Sequence, residues 1–120
     1  MTRIIFCEDD PTIQKLIRIA LRNDPYDVII ANNGADGLTH IQSEAPCLIF
    51  TDVSMPVMDG VQLCDVLKSD ATLKHIPIVL LTASAQREEL HEALSHGAVT
   101  HLSKPFSPQE LRDTIKSLLP

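Results

Sequence analysis

Short apolar stretches recur five times along the chain, and most of them lack the alternation of a half-exposed strand. They lie at residues 3–7, 27–31, 47–51, 78–81 and 98–102. Near-continuous apolar runs of this length are typical of strands that are buried on both faces of a parallel sheet. The last run contains Thr100 and His101 and departs most from this pattern.

Helical patterns follow each of the five predicted strands. Their apolar residues recur at the three- and four-residue spacing that places side chains on one face of a helix. These positions are Ile13, Leu16, Ile17, Ala20 and Leu21; Leu38, Ile41 and Ala45; Leu63, Val66 and Leu67; Leu90, Ala93 and Leu94; and Leu111, Ile115 and Leu118. Strands alternating with helices predict one α/β domain over residues 1–120, with a parallel sheet and helices on its faces.

Capping residues mark several of the predicted helix ends. Asp10 is placed to cap the first helix, with Pro11 as its first residue. Asp59 and Ser107 are each followed three residues later by Gln or Glu, which predicts capping boxes at the third and fifth helices. Gly97 is expected to end the fourth helix.

The composition excludes several classes of protein. Ten Lys and Arg against sixteen Asp and Glu give a net charge of −6, which disfavours direct nucleic-acid binding through phosphate neutralisation. No apolar stretch is long enough to span a bilayer or resembles a secretory signal. Three cysteines without paired spacing indicate a reducing cytoplasm, and we expect Cys7, Cys47 and Cys64 to be buried as small apolar side chains.

Polar side chains follow four of the predicted strands. Glu8 and Asp9 come after the first strand, and Asp52, Thr82 and Lys104 come after the third, fourth and fifth. Ligands of open α/β sheets bind at this carboxyl edge, where the strand order reverses. Glu8 and Asp9 can share a ligand with Asp52 only if the first and third strands are neighbours. This requirement favours the order 2-1-3-4-5 over 3-2-1-4-5.

The charges of this group predict a cation site. Glu8, Asp9 and Asp52 bring three negative charges, and Lys104 balances only one of them. Like charges held close together raise one another's pKa unless a cation intervenes. All candidate ligand atoms are oxygens, which suits a hard ion such as Mg²⁺, held by carboxylates, waters and a phosphate oxygen.

Asp52 is the best candidate for a nucleophile in this group, because carboxylates can form acyl phosphates. Lys104 can balance charge on incoming phosphoryl oxygens, and the Thr82 hydroxyl can donate a hydrogen bond to one of them. Phosphoryl transfer depends mainly on positioning and charge stabilisation, so this small set is sufficient in kind.

The same residues resemble the response-regulator receiver domain of two-component signalling. The resemblance covers the whole chain and is carried by Glu8-Asp9 and by residues 52–60 (DVSMPVMDG), 81–83 (LTA) and 104–106 (KPF), which also agree in spacing. It implies a flavodoxin-like (βα)5 three-layer sandwich with the sheet order 2-1-3-4-5.

The resemblance also implies a Mg²⁺ site and its ligands. Asp9 resembles the direct metal ligand of the family, and Glu8 the partner that acts through metal-bound water. Asp52 and the backbone carbonyl of Ser54 would complete the protein ligands.

For phosphorylation, Asp52 resembles the phosphoacceptor and Thr82 the switch hydroxyl. Lys104 resembles the lysine that balances charge beside the phosphoryl group, and its bond to Pro105 is expected to be cis, an uncommon geometry. The implied protein is a binding module rather than an enzyme. Its implied partners are a sensor histidine kinase or histidine phosphotransfer protein, and an output that contacts the fourth helix, fifth strand and fifth helix.

Two departures from the family pattern bear on regulation. His101 stands where the family usually has Tyr or Phe, which puts the coupling of an aromatic rotamer to Thr82 in doubt. Ser54 and Ser84 flank the expected phosphoryl entrance without an acid or amide to orient water, so we expect no fast self-hydrolysis.

Three alternatives remain open. A Mg²⁺-dependent phosphohydrolase would need a second acid two residues after Asp52, where Ser54 stands. A flavodoxin-like cofactor carrier would need stacking aromatics and a phosphate-binding loop that the sequence lacks. A receiver-like scaffold that no longer uses phosphorylation would not need the intact acid set.

Overall fold

The computed structural model describes residues 2–83, 91 and 94–119 of the chain. Five strands and four helices have both of their ends within these residues. The strands are β1 (Thr2–Cys7), β2 (Tyr26–Ala31), β3 (Leu48–Asp52), β4 (Ile78–Ala83) and β5 (Thr100–Lys104); the helices are α1 (Pro11–Leu21), α2 (Gly34–Glu44), α3 (Gly60–Lys68) and α4 (Pro108–Leu118). The predicted helix through Leu90, Ala93 and Leu94 falls mostly outside the described residues.

All five strands run parallel in the order β2-β1-β3-β4-β5, which confirms the predicted order. In the register of the central strands, Phe6 of β1 pairs with Phe50 of β3, and Phe50 pairs with Val79 of β4. Because β1 lies beside β3, the segments that follow these two strands leave the sheet at neighbouring points of its carboxyl edge.

Successive residues of each strand point to opposite faces of the sheet, and each face is covered by helices. Ile4 and Phe6 pack in a core with α1 and α4. Ile5 and Cys7 pack in a second core with α2 and α3. The rings of Phe6 and Phe50 stack with centroids 4.7 Å apart, and burying each ring stabilises the fold by about 2 kcal/mol.

The predicted helix starts are confirmed. The Asp10 side chain accepts a hydrogen bond from the Thr12 backbone N–H at 2.8 Å, and both predicted capping boxes, at Asp59 and at Ser107, are formed. Asn33 caps α2 in the same way, which the sequence analysis did not anticipate. Each cap satisfies N–H groups that have no partner within the helix.

Two local expectations were wrong. The fifth strand was expected at residues 98–102 but runs from Thr100 to Lys104, because its pairing with β4 sets its bounds more than its apolarity does. Cys47 is exposed, unlike Cys7 and Cys64. It lies just before β3 at the amino edge of the sheet, where its N–H donates to the Arg3 carbonyl.

The described helices are short. The longest of them contain 11 residues, and none is both long and apolar enough to cross a membrane.

Candidate functional site

Three carboxylates meet at the carboxyl edge of the sheet. Glu8 and Asp9 follow the last residue of β1, and Asp52 is the last residue of β3. One oxygen from each lies within 4.8 Å of the others. Glu8 is fully buried and Asp52 is 7% exposed, whereas Asp9 is open to solvent. The side chains therefore converge as expected from their positions, but in very different surroundings.

Lys104 joins this group from the end of β5. Its Nζ donates to Oε1 of Glu8 at 3.0 Å and to Oδ2 of Asp52 at 2.7 Å. The sequence analysis placed Lys104 beyond its strand, but it is the last strand residue and pairs with Ala83 of β4. One ammonium group thus bridges the two buried carboxylates.

Burial and hydrogen bonding shift the pKa values of Glu8 and Lys104. The pKa of Glu8 is raised to about 7, chiefly because burial removes the carboxylate from water and also because of the neighbouring Asp52 charge, while the Asp10 N–H and Lys104 oppose the increase. Burial by itself lowers the pKa of Lys104, but hydrogen bonds to Asp52 and Glu8 outweigh it and raise that pKa. Lys104 is therefore held charged beside carboxylates that its single charge does not fully balance.

Backbone groups orient the two buried carboxylates. The Asp10 N–H donates to Oε2 of Glu8 at 3.0 Å, and the Ser54 N–H donates to Oδ1 of Asp52 at 3.2 Å. The sequence analysis missed both contacts, because a backbone N–H leaves no signature in residue type.

Gly60 was also missed as a site residue. A Cβ atom at this position would lie 2.5 Å from the Asp52 carbonyl oxygen, so only glycine lets helix α3 begin this close to the end of β3.

The remaining predicted residues flank this group. Thr82 is buried near the end of β4, next to Leu81, which pairs with Asp52. Its hydroxyl donates to the Ala83 carbonyl oxygen at 3.1 Å. Ser54 is exposed in the loop after β3, and His101 is exposed on β5.

Two further expectations concern this edge. The Lys104–Pro105 peptide bond is cis, as predicted. Ser84, expected beside the phosphoryl entrance, lies outside the described residues.

The donor atoms suit a small hard cation. The three grouped ligand atoms are carboxylate oxygens, one of them from the exposed Asp9, which leaves an approach from solvent. Oxygen ligands of this kind select Mg²⁺ or Ca²⁺ over softer metals, and Mg²⁺ keeps several waters in sites with few protein ligands.

Comparison with known proteins identifies the family. Residues 4–116 match the family model of the response regulator receiver domain. The chain belongs to this family. It is a receiver domain of two-component signalling, and receiver domains are typically signalling modules rather than enzymes. The resemblance found from the sequence motifs is thus confirmed, which sets aside the cofactor-carrier alternative.

Curated relatives show the contexts in which such domains occur. The chain is 39% identical over 116 residues to histidine kinase P4 of Formosa agariphila, covering 97% of this chain and 8% of that protein. It is 32% identical over 117 residues to the DNA-binding response regulator MtrA of Mycolicibacterium smegmatis, covering 98% and 50%. The chain therefore spans half or less of the length of these relatives.

Solved structures share the fold over nearly the full chain. Chemotaxis protein CheY4 of Vibrio cholerae is 29% identical with a TM-score of 0.91, covering 99% of both chains. The receiver domain of sensor histidine kinase PA1611 of Pseudomonas aeruginosa, solved with a magnesium ion in its active-site cleft, is 26% identical with a TM-score of 0.89, covering 98% of this chain and 96% of that one. The predicted flavodoxin-like receiver fold is confirmed.

Proposed function

We propose that residues 1–120 act as one phosphoacceptor domain in which Asp52 receives a phosphoryl group from a phosphohistidine. The donor is a sensor histidine kinase or a histidine phosphotransfer protein. The observation that carries the proposal is the position of the Asp52 carboxylate, at the sheet edge, 2.7 Å from the Lys104 ammonium and grouped with Glu8 and Asp9.

The transfer exchanges one bond to phosphorus for another. An Asp52 carboxylate oxygen forms a bond to phosphorus as the N–P bond of the phosphohistidine breaks. The imidazole nitrogen keeps the electron pair and takes up a proton, which leaves an acyl phosphate on Asp52. Lys104 and the Thr82 hydroxyl lie where they can stabilise the phosphoryl oxygens, and this charge stabilisation is the main demand of the reaction.

Glu8, Asp9, Asp52 and the Ser54 backbone carbonyl would hold Mg²⁺ in this proposal. The acid-rich donor set and the excess of negative charge over Lys104 support this assignment. When bound, the ion supplies positive charge that offsets repulsion between the carboxylates and the incoming phosphoryl group.

Phosphorylation would change a protein-binding surface. The phosphoryl group adds about −1.5 to −2 charges at the sheet edge, and Thr82 is the nearest hydroxyl on the adjacent strand. The responding surface in this proposal comprises the predicted fourth helix (through Leu90, Ala93 and Leu94), strand β5, and helix α4, which is the fifth helix predicted from the sequence. It would bind a downstream protein or output domain in the cytoplasm; the net charge of −6 disfavours direct contact with nucleic acid.

Phosphorylation with a radiolabelled donor and Mg²⁺ tests the proposal. We expect labelling of the parent chain and of Asp59→Asn, and none of Asp52→Asn. Asp59 is a matched control, because it lies in the same loop but caps α3, a role that Asn also fills. Equal labelling of Asp52→Asn and the parent would remove Asp52 from its role.

Two other outcomes would favour the open alternatives. A parent chain that no donor labels would favour a scaffold that does not use phosphorylation. Steady Asp52-dependent hydrolysis of a small phosphate ester would favour a phosphohydrolase.

A further inference from the structure

The loop between β3 and α3 contains a strained residue, Val57. The Met58 N–H donates to the Pro56 carbonyl oxygen at 2.8 Å, and Val57 between them has a φ of 69°. A hydrogen bond across one residue with positive φ defines the rare and strained form of the γ-turn. Positive φ is a pronounced outlier for a β-branched side chain, and such strain costs on the order of 1–3 kcal/mol.

Val57 is also the most exposed large apolar residue in the described part of the chain, with 81% of its surface open to solvent. Its neighbours Met55 and Met58 differ from it, because both pack against the core of the α2–α3 face. The Val57 side chain therefore makes little packing inside the protein that could offset the cost of its strained backbone.

Closure of the loop does not require a valine at this position. The loop is anchored at its start by the Ser54 N–H on Asp52, and near its end by the Gly34 N–H on the Met58 carbonyl and by Gly60 against β3. All three anchors use backbone atoms or other residues. Glycine at position 57 would adopt positive φ without the steric cost, so nothing in the described structure needs the apolar side chain.

The proposed reaction indicates what contacts this side chain. A phosphohistidine donates to Asp52 only if its phosphorus comes within bonding distance of the Asp52 carboxylate. The donor protein must then cover the surrounding edge of the sheet. Val57 is five residues after Asp52 in a loop that is tied to Asp52 at both ends. An apolar contact in this loop would bind the donor without adding charge beside the phosphoryl group.

We propose that Val57 is an apolar docking contact for the phosphohistidine-bearing protein, and that it determines how well protein donors are used without taking part in the chemistry. The partner surface is an apolar patch beside the phosphohistidine. Burial of an exposed apolar side chain against an apolar partner surface is favourable in proportion to the apolar area removed from water. This inference rests on the proposed function and adds a determinant of donor selection to it.

Comparison of two kinds of donor tests the inference. The protein donor is the phosphorylated histidine kinase or phosphotransfer protein of the source genome that labels the parent chain fastest. The small donor is acetyl phosphate, which does not cover the loop. For each variant we would measure kcat/KM with the protein donor, the labelling rate with acetyl phosphate, and the melting temperature.

We expect Val57→Gly to lower kcat/KM for the protein donor by about fivefold or more, mainly through KM. Labelling by acetyl phosphate should be unchanged, and the melting temperature should not fall, because the backbone strain is relieved. Val57→Ile should keep the parent's transfer rate. Val66→Ala is the matched control: Val66 is another exposed valine, 38% open, in the last turn of helix α3.

The outcomes separate this inference from the proposed function. Unchanged transfer from the protein donor to Val57→Gly would overturn the inference, as would an equal loss with Val66→Ala. A parent chain labelled by acetyl phosphate but by no phosphohistidine protein would also overturn it. Failure of both donors to label the parent chain at Asp52 would instead overturn the proposed function.

Discussion

The two ends of β1 each carry a cation held between two carboxylates, and the clusters differ mainly in burial. At the amino end, Arg3 Nε lies 2.8 Å from Oδ2 of Asp27, and Arg3 Nη1 lies 3.2 Å from Oε2 of Glu44. At the carboxyl end, the Lys104 ammonium bridges Glu8 and the phosphoacceptor candidate at distances of 3.0 and 2.7 Å. The composition and the distances are nearly the same.

Exposure separates the two clusters. The Arg3 side chain is 35% exposed, and its partners Asp27 and Glu44 are each 37% exposed. In the other cluster the Lys104 side chain is 16% exposed and Glu8 is fully buried. Water and salt screen the first cluster, so its pairing contributes little. The second cluster has lost most of its hydration, and each of its charges is costly without the others. The same set of charges thus forms a screened surface pair at one edge of the sheet and a buried cluster, costly to leave unpaired, at the other.

Substitution Lys104→Met is expected to have the largest effect. It leaves Glu8 and Asp52 buried without their cation, and removing one partner of a buried pair costs about 3–5 kcal/mol; we expect about 3 kcal/mol because Lys104 keeps some access to water. Chemical denaturation in EDTA at pH 8 measures the loss. A loss no larger than that of Arg3→Met would contradict the contrast between the two clusters.

The pH dependence of the Lys104→Met loss follows from Glu8. Its pKa in the folded protein, about 7, lies above its ordinary value. A raised folded pKa contributes stability that is fully present below the unfolded pKa and is lost as the pH rises through the folded one. Lys104 lowers this pKa, so the part of the loss that comes from Glu8 should be small at pH 5 and largest above pH 7. A deficit independent of pH would show that the ammonium stabilises the fold through Asp52 or through packing and not through Glu8.

Substitution Asp9→Asn is expected to have an intermediate effect, confined to metal binding. Because Asp9 is exposed, its replacement should change the free energy of unfolding in EDTA only a little. Its carboxylate is a proposed Mg²⁺ ligand, and we expect Mg²⁺ affinity to fall about tenfold or more, measured by titration calorimetry. Asp10→Asn is the control, because Asn also caps α1; equal losses from both would place the metal elsewhere.

Substitution Arg3→Met is expected to have the smallest effect. The fold should lose a little stability at low salt and almost none at high salt, because screening already weakens an exposed pair. Mg²⁺ binding and labelling should stay unchanged, since Arg3 lies at the opposite edge of the sheet. A loss of stability that salt does not reduce would show that this cluster is more than a surface contact.

Much of the site could be predicted, because its acids directly follow apolar runs. Glu8, Asp9 and Asp52 were expected to converge once the strand order was inferred, and they do. The difference between Glu8 and Asp9 was not predictable from residue type. Both are acids after the same strand, and only the packing around β1 decides that the first is buried and the second exposed.

The amino-acid sequence by itself determined the order of elements, the helix caps at Asp10, Asp59 and Ser107, and the places where chemistry follows a strand. These features depend on side-chain periodicity and on contacts within a few residues, which any chain with this pattern makes. Tertiary structure alone decided the bounds of β5, the exposure of Cys47, the strained turn at Val57, and the pairing of Lys104 with two distant carboxylates. Those depend on which strands are neighbours and on what covers them, and free energies of burial are set by the whole assembly rather than by local sequence.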